Sequence, residues 1–444
     1  MSNQPYRSGI PDIPESNRRT IDFGPSSKPL IVNYRVGDWL PQDQRLVERY
    51  ISELLEKVKQ DKRPANELTP SVAQFKELVD KTPVLRMGFT QMFREVPPKF
   101  PYNLNPELKH QVPDYETMFR MFDYIINHAI PFDKNALVAI PIYAILDGPA
   151  GTEAGLATFL MPEVNRQFKN MFADWAKFLS SSDSRQYLTT EAGGWLSAEA
   201  HEVMPNFADT YECDPTAPHW GFQSWDDFFT RKFRNGARPV KFPDPEYADI
   251  ITNACESEVY KISTDIKEQD DFWLKGQPYS LRDMINNDPY TGQFIGGSIY
   301  QAYLSVFNFH RWVSPVSGTI DRIEMIEGTY YADSPAAGQD ESSQGYMTNV
   351  ATRAIIWIKC DNPEIGLMGF IGVGMSEVST CEVTVKQNQR VEKGHELGMF
   401  HYGGSTHCLI FRKRVDIHFL PEIKEKVLLN QQIATVGKGG SRTK

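Results

Sequence analysis

The chain has 444 residues, of which 41% are hydrophobic and 23% charged, and its formal net charge at pH 7 is -10. This length allows two or three domains of roughly 100–200 residues each, with a large buried core. The acidic balance argues against nucleic acid and anionic membrane surfaces as partners, because both repel a negatively charged protein.

The sequence also argues against membrane insertion, secretion and metal binding. A membrane-spanning helix needs roughly 18 consecutive apolar residues, whereas the most apolar segment, Ala136–Leu146, is shorter, contains Pro141 and favours a buried helix or strand. The N-terminus lacks the apolar core of a signal peptide. The five cysteines are scattered without a CxxC pair, which argues against a disulfide framework or a zinc site. We therefore expect a cytoplasmic protein without a metal.

The first half of the chain contains two kinds of sequence. Residues 1–40 are rich in Pro, Ser and Asn, which predicts a flexible N-terminal arm. Further on, Leu46, Tyr50 and Leu54 recur at a spacing of four, as on one face of a helix. Similar patterns follow at residues 72–79, 115–128 and 165–179. These patterns predict a helical N-terminal domain over residues 41–210.

The second half has the pattern of a β domain. After an aromatic and basic stretch, short β-branched runs alternate with Gly, Asn and Asp turns, as is typical of strands. The clearest runs are Ala354–Lys359, Gly369–Val373, Cys381–Val385 and Cys408–Phe411, and the polar insertion 334–345 is predicted to be a surface loop. The predicted fold class is α+β, with a helical N-terminal region followed by a mainly antiparallel β catalytic domain over residues 211–444.

The stretch Gly403-Gly404-Ser405-Thr406 has the composition of a self-cleaving site. Two glycines permit unusual backbone torsions and leave the Gly404 carbonyl open to attack. The Ser405 hydroxyl can convert this peptide bond to an ester. Loss of the α-proton then eliminates the ester, and hydrolysis leaves a pyruvoyl group on residue 405. The reaction needs a base and stabilisation of the oxyanion. Because such a stretch is also typical of flexible turns and phosphate-binding loops, the interpretation depends on the surrounding segments.

Roughly residues 220–444 resemble the phosphatidylserine decarboxylase family. Five segments match the family's motifs in order: Phe228-Phe229-Thr230-Arg231 with Arg238-Pro239, Asn253–Ser257, Phe309-His310-Arg311, Gly372-Val373-Gly374 and Gly403–Thr406. The chain is most similar to the fungal, soluble branch that includes L-tryptophan decarboxylase. That likeness is carried by Phe178–Ser181, Ala254–Ser257, Asn286–Pro289 and Leu397–His401.

The resemblance implies a role for each matching residue. Ser405 becomes the covalent pyruvoyl cofactor after cleavage between Gly404 and Ser405, and the small chain 405–444 stays as a partner of the large one. His310 corresponds to a histidine of the decarboxylation cycle, and imidazole titrates near neutral pH, as proton delivery requires. Glu256 stands where the family has the aspartate of its Asp-His-Ser processing triad, so we expect it to orient an imidazole.

One position departs from the family's pattern. Val313 stands where the family has a second histidine, the processing base, and valine cannot take a proton. His407 is the first candidate for a substitute, since residues two apart in a strand point to the same face, which makes His407 a neighbour of Ser405. His401 and His310 are further candidates.

Decarboxylation requires a group that takes up the electrons released when CO2 leaves. A pyruvoyl ketone can do so without pyridoxal phosphate. Together with this chemistry, the resemblance to the fungal branch implies a self-processing decarboxylase that converts a free, tryptophan-like L-amino acid to its amine in secondary metabolism.

Other readings of the sequence stay open. They are a phosphatidylserine decarboxylase acting at a membrane surface and an unprocessed pseudoenzyme with a binding role, which Val313 favours. The strand–turn–Gly pattern around Lys386 also resembles lipoyl or biotinyl carrier domains, but it lacks their Met-Lys-Met sequence. A homodimer is compatible with the sequence as well.

Overall fold

A computed structural model describes most of the chain. The described residues are 19–21, 30–32, 44–61, 63, 67–96, 112–134, 140–269, 279–332, 342–374, 377, 380–402 and 405–437.

Helices dominate the region before residue 230. They are α1 (Gln44–Gln60), α2 (Pro70–Lys81), α3 (Pro83–Glu95), α4 (Tyr115–Ile126), α5 (Pro141–Ala150), α6 (Glu153–Phe159), α7 (Pro162–Leu179), α8 (Ala198–Val203), α9 (Phe207–Thr210) and α10 (Trp225–Phe229). Three further helices lie among the strands that follow: α11 (Leu281–Met284), α12 (Thr291–Phe294) and α13 (Ser342–Val350).

The helical region is held together by a large aromatic core. In α7 the apolar residues Phe168, Phe172 and Trp175 recur at helical spacing and are buried. All ten residues of α5 are buried, which explains why that segment shows an apolar run rather than a periodic stripe. The same core takes in Tyr331 and Tyr402 from the second half of the chain, so the helices pack directly against the β region.

The strands form antiparallel sheets, and all but the first two strands lie in the second half of the chain. The strands are β1 (Arg19–Ile21), β2 (Leu30–Val32), β3 (Ile250–Thr252), β4 (Ser257–Thr264), β5 (Ser298–Leu304), β6 (Arg311–Val313), β7 (Gly318–Ile326), β8 (Arg353–Cys360), β9 (Leu367–Gly374), β10 (Thr380–Val383), β11 (Arg390–Val391), β12 (Glu396–His401), β13 (Ser405–Phe411), β14 (Ile417–Phe419), β15 (Lys426–Val427) and β16 (Gln432–Val436). The largest sheet has eight strands in the order β11-β7-β8-β9-β13-β5-β4-β15. Two three-stranded sheets have the orders β10-β12-β6 and β14-β16-β3.

Strand β13 lies in the interior of the large sheet, and every one of its residues is buried. It pairs along its whole length with β5 on one side and with β9 on the other. Its residues alternate between two cores, with Leu409 and Phe411 in one and Cys408 and Ile410 in the other. The sheet is therefore covered on both faces.

The predicted α+β class is confirmed, with helices first and antiparallel strands after. Most of the predicted arm 1–40 lies outside the described residues, and within it β1 and β2 form an antiparallel pair that the sequence did not predict. The predicted loop 334–345 was wrong for residues 342–345, which belong to α13, and residues 334–341 lie outside the described residues. The domain boundary at residue 210 stays a prediction. In the described part of the chain, no helix is long and apolar enough to cross a membrane.

Candidate active site

Ser405 lies at the level where one strand of the large sheet begins and its two neighbours end. It is the first residue of β13, and it pairs with Leu304 and Gly374, the last residues of β5 and β9. Ser405 is fully buried, and its Oγ has no hydrogen-bond partner within the described part of the chain. Its partner Gly374 brings no side chain to the β9 side of Ser405. Gly404, the predicted cleavage partner, lies outside the described residues.

His310 is buried beside the segment that leads to Ser405. Its ring stacks on that of Phe229 in α10, with centroids 3.9 Å apart and planes at 22°. Its carbonyl oxygen accepts a hydrogen bond of 2.9 Å from the backbone N–H of Phe400. Since Leu304 pairs with Ser405, the loop from Leu304 to His310 is held at both ends against the chain from Phe400 to Ser405. The structure therefore places His310 against this segment, and its catalytic role stays a prediction.

Aromatic rings surround the residue that precedes the two glycines. Tyr402 lies with its ring centroid 4.2 Å from that of Trp175, 4.9 Å from that of Trp225 and 6.1 Å from that of Phe229. Its φ is 59°, a left-handed conformation that costs a non-glycine residue on the order of 1–3 kcal/mol. The packing of these rings offsets that strain at the residue that precedes the predicted cleavage site.

Glu256 binds an arginine in this structure. One carboxylate oxygen, Oε1, accepts a 2.6 Å hydrogen bond from Arg238 Nη2, and Oε2 is buried with no partner among the described residues. Burial raises the pKa of Glu256, while the guanidinium groups of Arg238 and Arg231 oppose the rise. In this structure the carboxylate contacts Arg238 rather than an imidazole, and the role expected for Glu256 stays a prediction.

Arg231, from the same motif region, fixes the loop that carries His310. Its Nη2 donates hydrogen bonds to the carbonyl oxygens of Phe307 at 2.7 Å and Asn308 at 2.9 Å. The Asn308 side chain in turn donates to the carbonyl oxygen of Glu256 at 3.1 Å. The two arginines thus hold two separate loops of the site, a role that the sequence motif alone did not reveal.

Val313 occupies the position at which a histidine was expected from the family's pattern. Its backbone N–H donates a 2.9 Å hydrogen bond to the carbonyl oxygen of Ala254, two residues before Glu256. The side chain of Val313 is buried in the aromatic core. A residue at this position therefore lies next to the loop that carries the carboxylate, but valine brings no base to it.

His407 lies on the same face of β13 as Ser405, as the strand period requires. Two residues along a strand correspond to about 6.5 Å between Cα atoms. The ring of His407 is fully buried between Phe370 and Tyr300, each with its centroid 6.0 Å away. Burial lowers the pKa of His407 to about 3, so its imidazole is neutral at pH 7.

His401 is held by two carboxylates. Its Nδ1 lies 3.0 and 3.1 Å from the carboxylate oxygens of Asp226, and its Nε2 lies 2.8 Å from Glu382 Oε2. Burial lowers the pKa of His401, but these carboxylates outweigh burial and raise it above its ordinary value. An imidazolium with both nitrogens engaged has no lone pair for a proton, which argues against His401 as the processing base.

Comparison with known proteins shows which family this chain is similar to. Two family models, both described as phosphatidylserine decarboxylase, match residues 69–204 and 225–435. The chain is similar to decarboxylase iboD of Amanita muscaria, with 44% identity over 323 residues covering 67% of this chain and 92% of that protein. It is 34% identical to L-tryptophan decarboxylase of Psilocybe cubensis over 454 aligned positions, which cover 96% and 99% of the two chains. Phosphatidylserine decarboxylase proenzyme 3 of Schizosaccharomyces pombe is 30% identical over 245 residues, or 54% of this chain and 24% of that protein.

Proposed function

Because this chain belongs to the phosphatidylserine decarboxylase family, and is a carboxy-lyase, we propose that it forms its pyruvoyl group from Ser405 and decarboxylates a free aromatic L-amino acid. One observation carries the first part of the proposal. A fully buried serine hydroxyl without a hydrogen-bond partner in the described structure stands at the start of a strand, directly after two glycines. A buried hydroxyl of this kind costs stability, so its presence calls for a chemical reason.

Self-cleavage uses the chain's own groups. Ser405 Oγ attacks the Gly404 carbonyl carbon, and the amide nitrogen takes the proton as the peptide bond becomes an ester. Removal of the Ser405 α-proton then expels the Gly404 carboxylate. Addition of water and release of ammonia leave a ketone on residue 405. His407 is the candidate base because it shares a face of β13 with Ser405 and its imidazole is neutral.

A small ketone at residue 405 is compatible with this site, since the Oγ that it would replace makes no hydrogen bond in the described structure and the paired residue is a glycine. When formed, this group supplies a sink for the electrons that CO2 leaves behind. The chain's own residues do the rest. We assign His310, stacked on Phe229 and fixed through its carbonyl oxygen to Phe400, the task of delivering a proton to the substrate carbon.

The substrate proposal draws on relatives and on the lining of the site. The Psilocybe cubensis relative, aligned over nearly its whole length, is named L-tryptophan decarboxylase. Tyr402, three residues before Ser405, packs against Trp225 and Phe229, and this aromatic cluster is our candidate surface for an aromatic side chain. Phosphatidylserine is the second candidate, since the matching family models carry its name.

The cleaved chain 405–444 is proposed to stay bound to the remainder of the protein. It contributes β13 to the interior of the large sheet, where that strand pairs with both β5 and β9. It also contributes β16, which pairs with β3. We propose the cytoplasm as the location, because the cysteines in the structure are all free thiols.

A denaturing gel of the purified protein tests self-cleavage. We expect the wild type to release a fragment of about 4.6 kDa, which is 40/444 of the 50.7 kDa chain. This fragment should react with hydrazides and be blocked to N-terminal sequencing, and Ser405→Ala should leave one full-length band. A full-length wild-type band would instead favour the unprocessed pseudoenzyme that Val313 suggests.

An assay for amine products then separates the substrate candidates. The wild type is offered each of the twenty amino acids and, separately, liposomes that contain phosphatidylserine. We expect an amine from tryptophan or another aromatic amino acid. Phosphatidylethanolamine formed on the liposomes, with no amine from any free amino acid, would overturn the substrate proposal.

A further inference from the structure

A buried carboxyl group joins the β region to the middle of the helical region. Glu377 Oε1 accepts hydrogen bonds from the backbone N–H groups of Ile142 at 2.9 Å and Tyr143 at 3.3 Å. Its Oε2 accepts a 3.0 Å hydrogen bond from the Tyr331 hydroxyl. Only 2% of Glu377 is exposed. These contacts connect residues that are far apart in the sequence and belong to different halves of the fold.

Helix α5 depends on this carboxyl group for its N-terminal cap. The first N–H groups of a helix have no partner within the helix, and the residue before α5, Ile140, has no side chain that could supply one. Water cannot reach them easily, because the whole of α5 is buried. A carboxylate at a helix N-terminus also interacts favourably with the helix dipole. Glu377 therefore supplies the hydrogen-bond acceptor that the residues before α5 do not provide for its first N–H groups.

Glu377 also lies next to the cleavage site. It follows Gly374, the partner of Ser405 in the sheet, by three residues. On the other side of the site, burial and then the charge of Glu377 raise the pKa of Tyr402, which precedes Ser405 by three residues. The carboxyl group thus lies near Tyr402, which leads into the proposed cleavage site.

The topology places the substrate near Glu377. A substrate engaged at residue 405 must extend beyond the start of β13, because the strand itself fills the sheet in the other direction. Strands β5 and β9 end at the same level. The residues that follow them, with His310 after β5 and Glu377 after β9, therefore flank the space that the substrate enters.

We propose that Glu377 is a positioning residue that fastens α5 to the substrate side of residue 405, so that the helical region takes part in binding the amino acid. The effect on substrate binding in this inference rests on the proposed function, whereas the contact between Glu377 and α5 does not. It assigns the helical region a role in substrate binding, with Tyr331 as the second anchor of the carboxyl group.

Steady-state kinetics of cleaved enzyme test the proposal. We expect Glu377→Ala to lower kcat/KM on the order of tenfold or more, mainly through a higher KM, because three hydrogen bonds to one carboxyl group are lost. Glu377→Gln should stay within about threefold of the wild type, since its amide oxygen can still accept from Ile142 and Tyr143. Tyr331→Phe, which removes only a hydroxyl, should raise KM about threefold.

A matched control comes from the helical region itself. Glu95 Oε2 accepts a 3.1 Å hydrogen bond from the N–H of Ala154, in the first turn of α6, so this bond joins two helices of the helical region. Glu95→Ala should leave KM unchanged. An unchanged KM in both Glu377→Ala and Tyr331→Phe would overturn the proposal, as would an equal rise in Glu95→Ala.

Hydrogen exchange tests the structural part without any need for activity. In the uncleavable Ser405→Ala background, Glu377→Ala should speed exchange of the Ile142 and Tyr143 amides by tenfold or more. Unchanged exchange would overturn the link between Glu377 and α5. A failure of the proposed function would look different, because the wild type itself would then release no fragment and form no amine.

Discussion

The buried imidazole of His407 makes the stability of the sheet sensitive to acid. In the folded protein burial lowers its pKa to about 3, whereas in an unfolded chain histidine titrates near 6.5. Below that value the unfolded chain takes up a proton that the folded chain refuses. The free energy of unfolding therefore falls as the pH drops from about 6.5 towards 3. Between pH 7 and pH 5 the contribution of His407 amounts to about 2 kcal/mol.

The substitution His407→Phe isolates this contribution. Phenylalanine keeps a ring between Phe370 and Tyr300 but cannot bind a proton. The comparison is made in the Ser405→Ala background, so that every chain is uncleaved, and the free energy of unfolding is measured in urea at pH 7 and pH 5. We expect the double variant to lose about 2 kcal/mol less than Ser405→Ala over this interval. Any packing difference between the two rings is the same at both pH values and cancels.

A surface histidine provides the control for that experiment. His418 in β14 has a side chain that is 54% exposed, so His418→Phe in the same background should leave the loss between pH 7 and pH 5 nearly unchanged. Equal losses in Ser405→Ala and Ser405→Ala/His407→Phe would refute the reasoning, because they would mean that His407 takes up its proton in the folded protein.

Three further predictions concern His407, the ion pair of Arg238 with Glu256, and His401. If His407 is the processing base, the rate of self-cleavage should stay level from pH 8 to pH 5, because the folded imidazole remains neutral there, whereas a fall below pH 6.5 would point to another histidine. Arg238→Leu should lower the free energy of unfolding by about 1–3 kcal/mol, since it leaves the mostly buried carboxylate of Glu256 without its partner, and denaturant unfolding should show a smaller loss in Arg238→Leu/Glu256→Leu. His401→Gln should reduce the thermal midpoint more at pH 6 than at pH 9. The carboxylates raise the pKa of His401, so its stabilisation is complete below about pH 6.5 and is lost as the pH rises through the folded pKa; an equal reduction at both values would contradict this.

The sequence predicted the elements whose patterns are local. Helix α7 was expected over 165–179 and spans Pro162–Leu179, because its buried face recurs every three to four residues. Strand period alone placed Ser405 and His407 on one face of β13. The short helix α13 was missed because its first residues lie in a polar stretch that is also typical of loops.

Contacts between distant residues could not be predicted in the same way. The stacking of His310 on Phe229 joins positions 81 residues apart, and the bond between Glu377 and Ile142 joins positions 235 apart. Neither pair leaves a periodic signal, since each depends on how whole elements pack. The motif residue Arg238 was visible in the sequence, but its partner Glu256 was assigned to an imidazole instead.

Val313 stands in place of the family's histidine, and this change is compatible with the different demands that the proposed self-cleavage and decarboxylation make on a base. A carboxylate neutralised by Arg238 is poorly suited to polarise an imidazole, so Glu256 and Val313 together leave that side of the site without a base. His407 can replace it only weakly, because a base with a pKa of about 3 has little driving force for proton abstraction. The proposed self-cleavage occurs only once in each chain, however, so a slow step suffices there. Decarboxylation recurs with every substrate molecule, and for that cycle we expect a separate histidine, His310, to carry the proton.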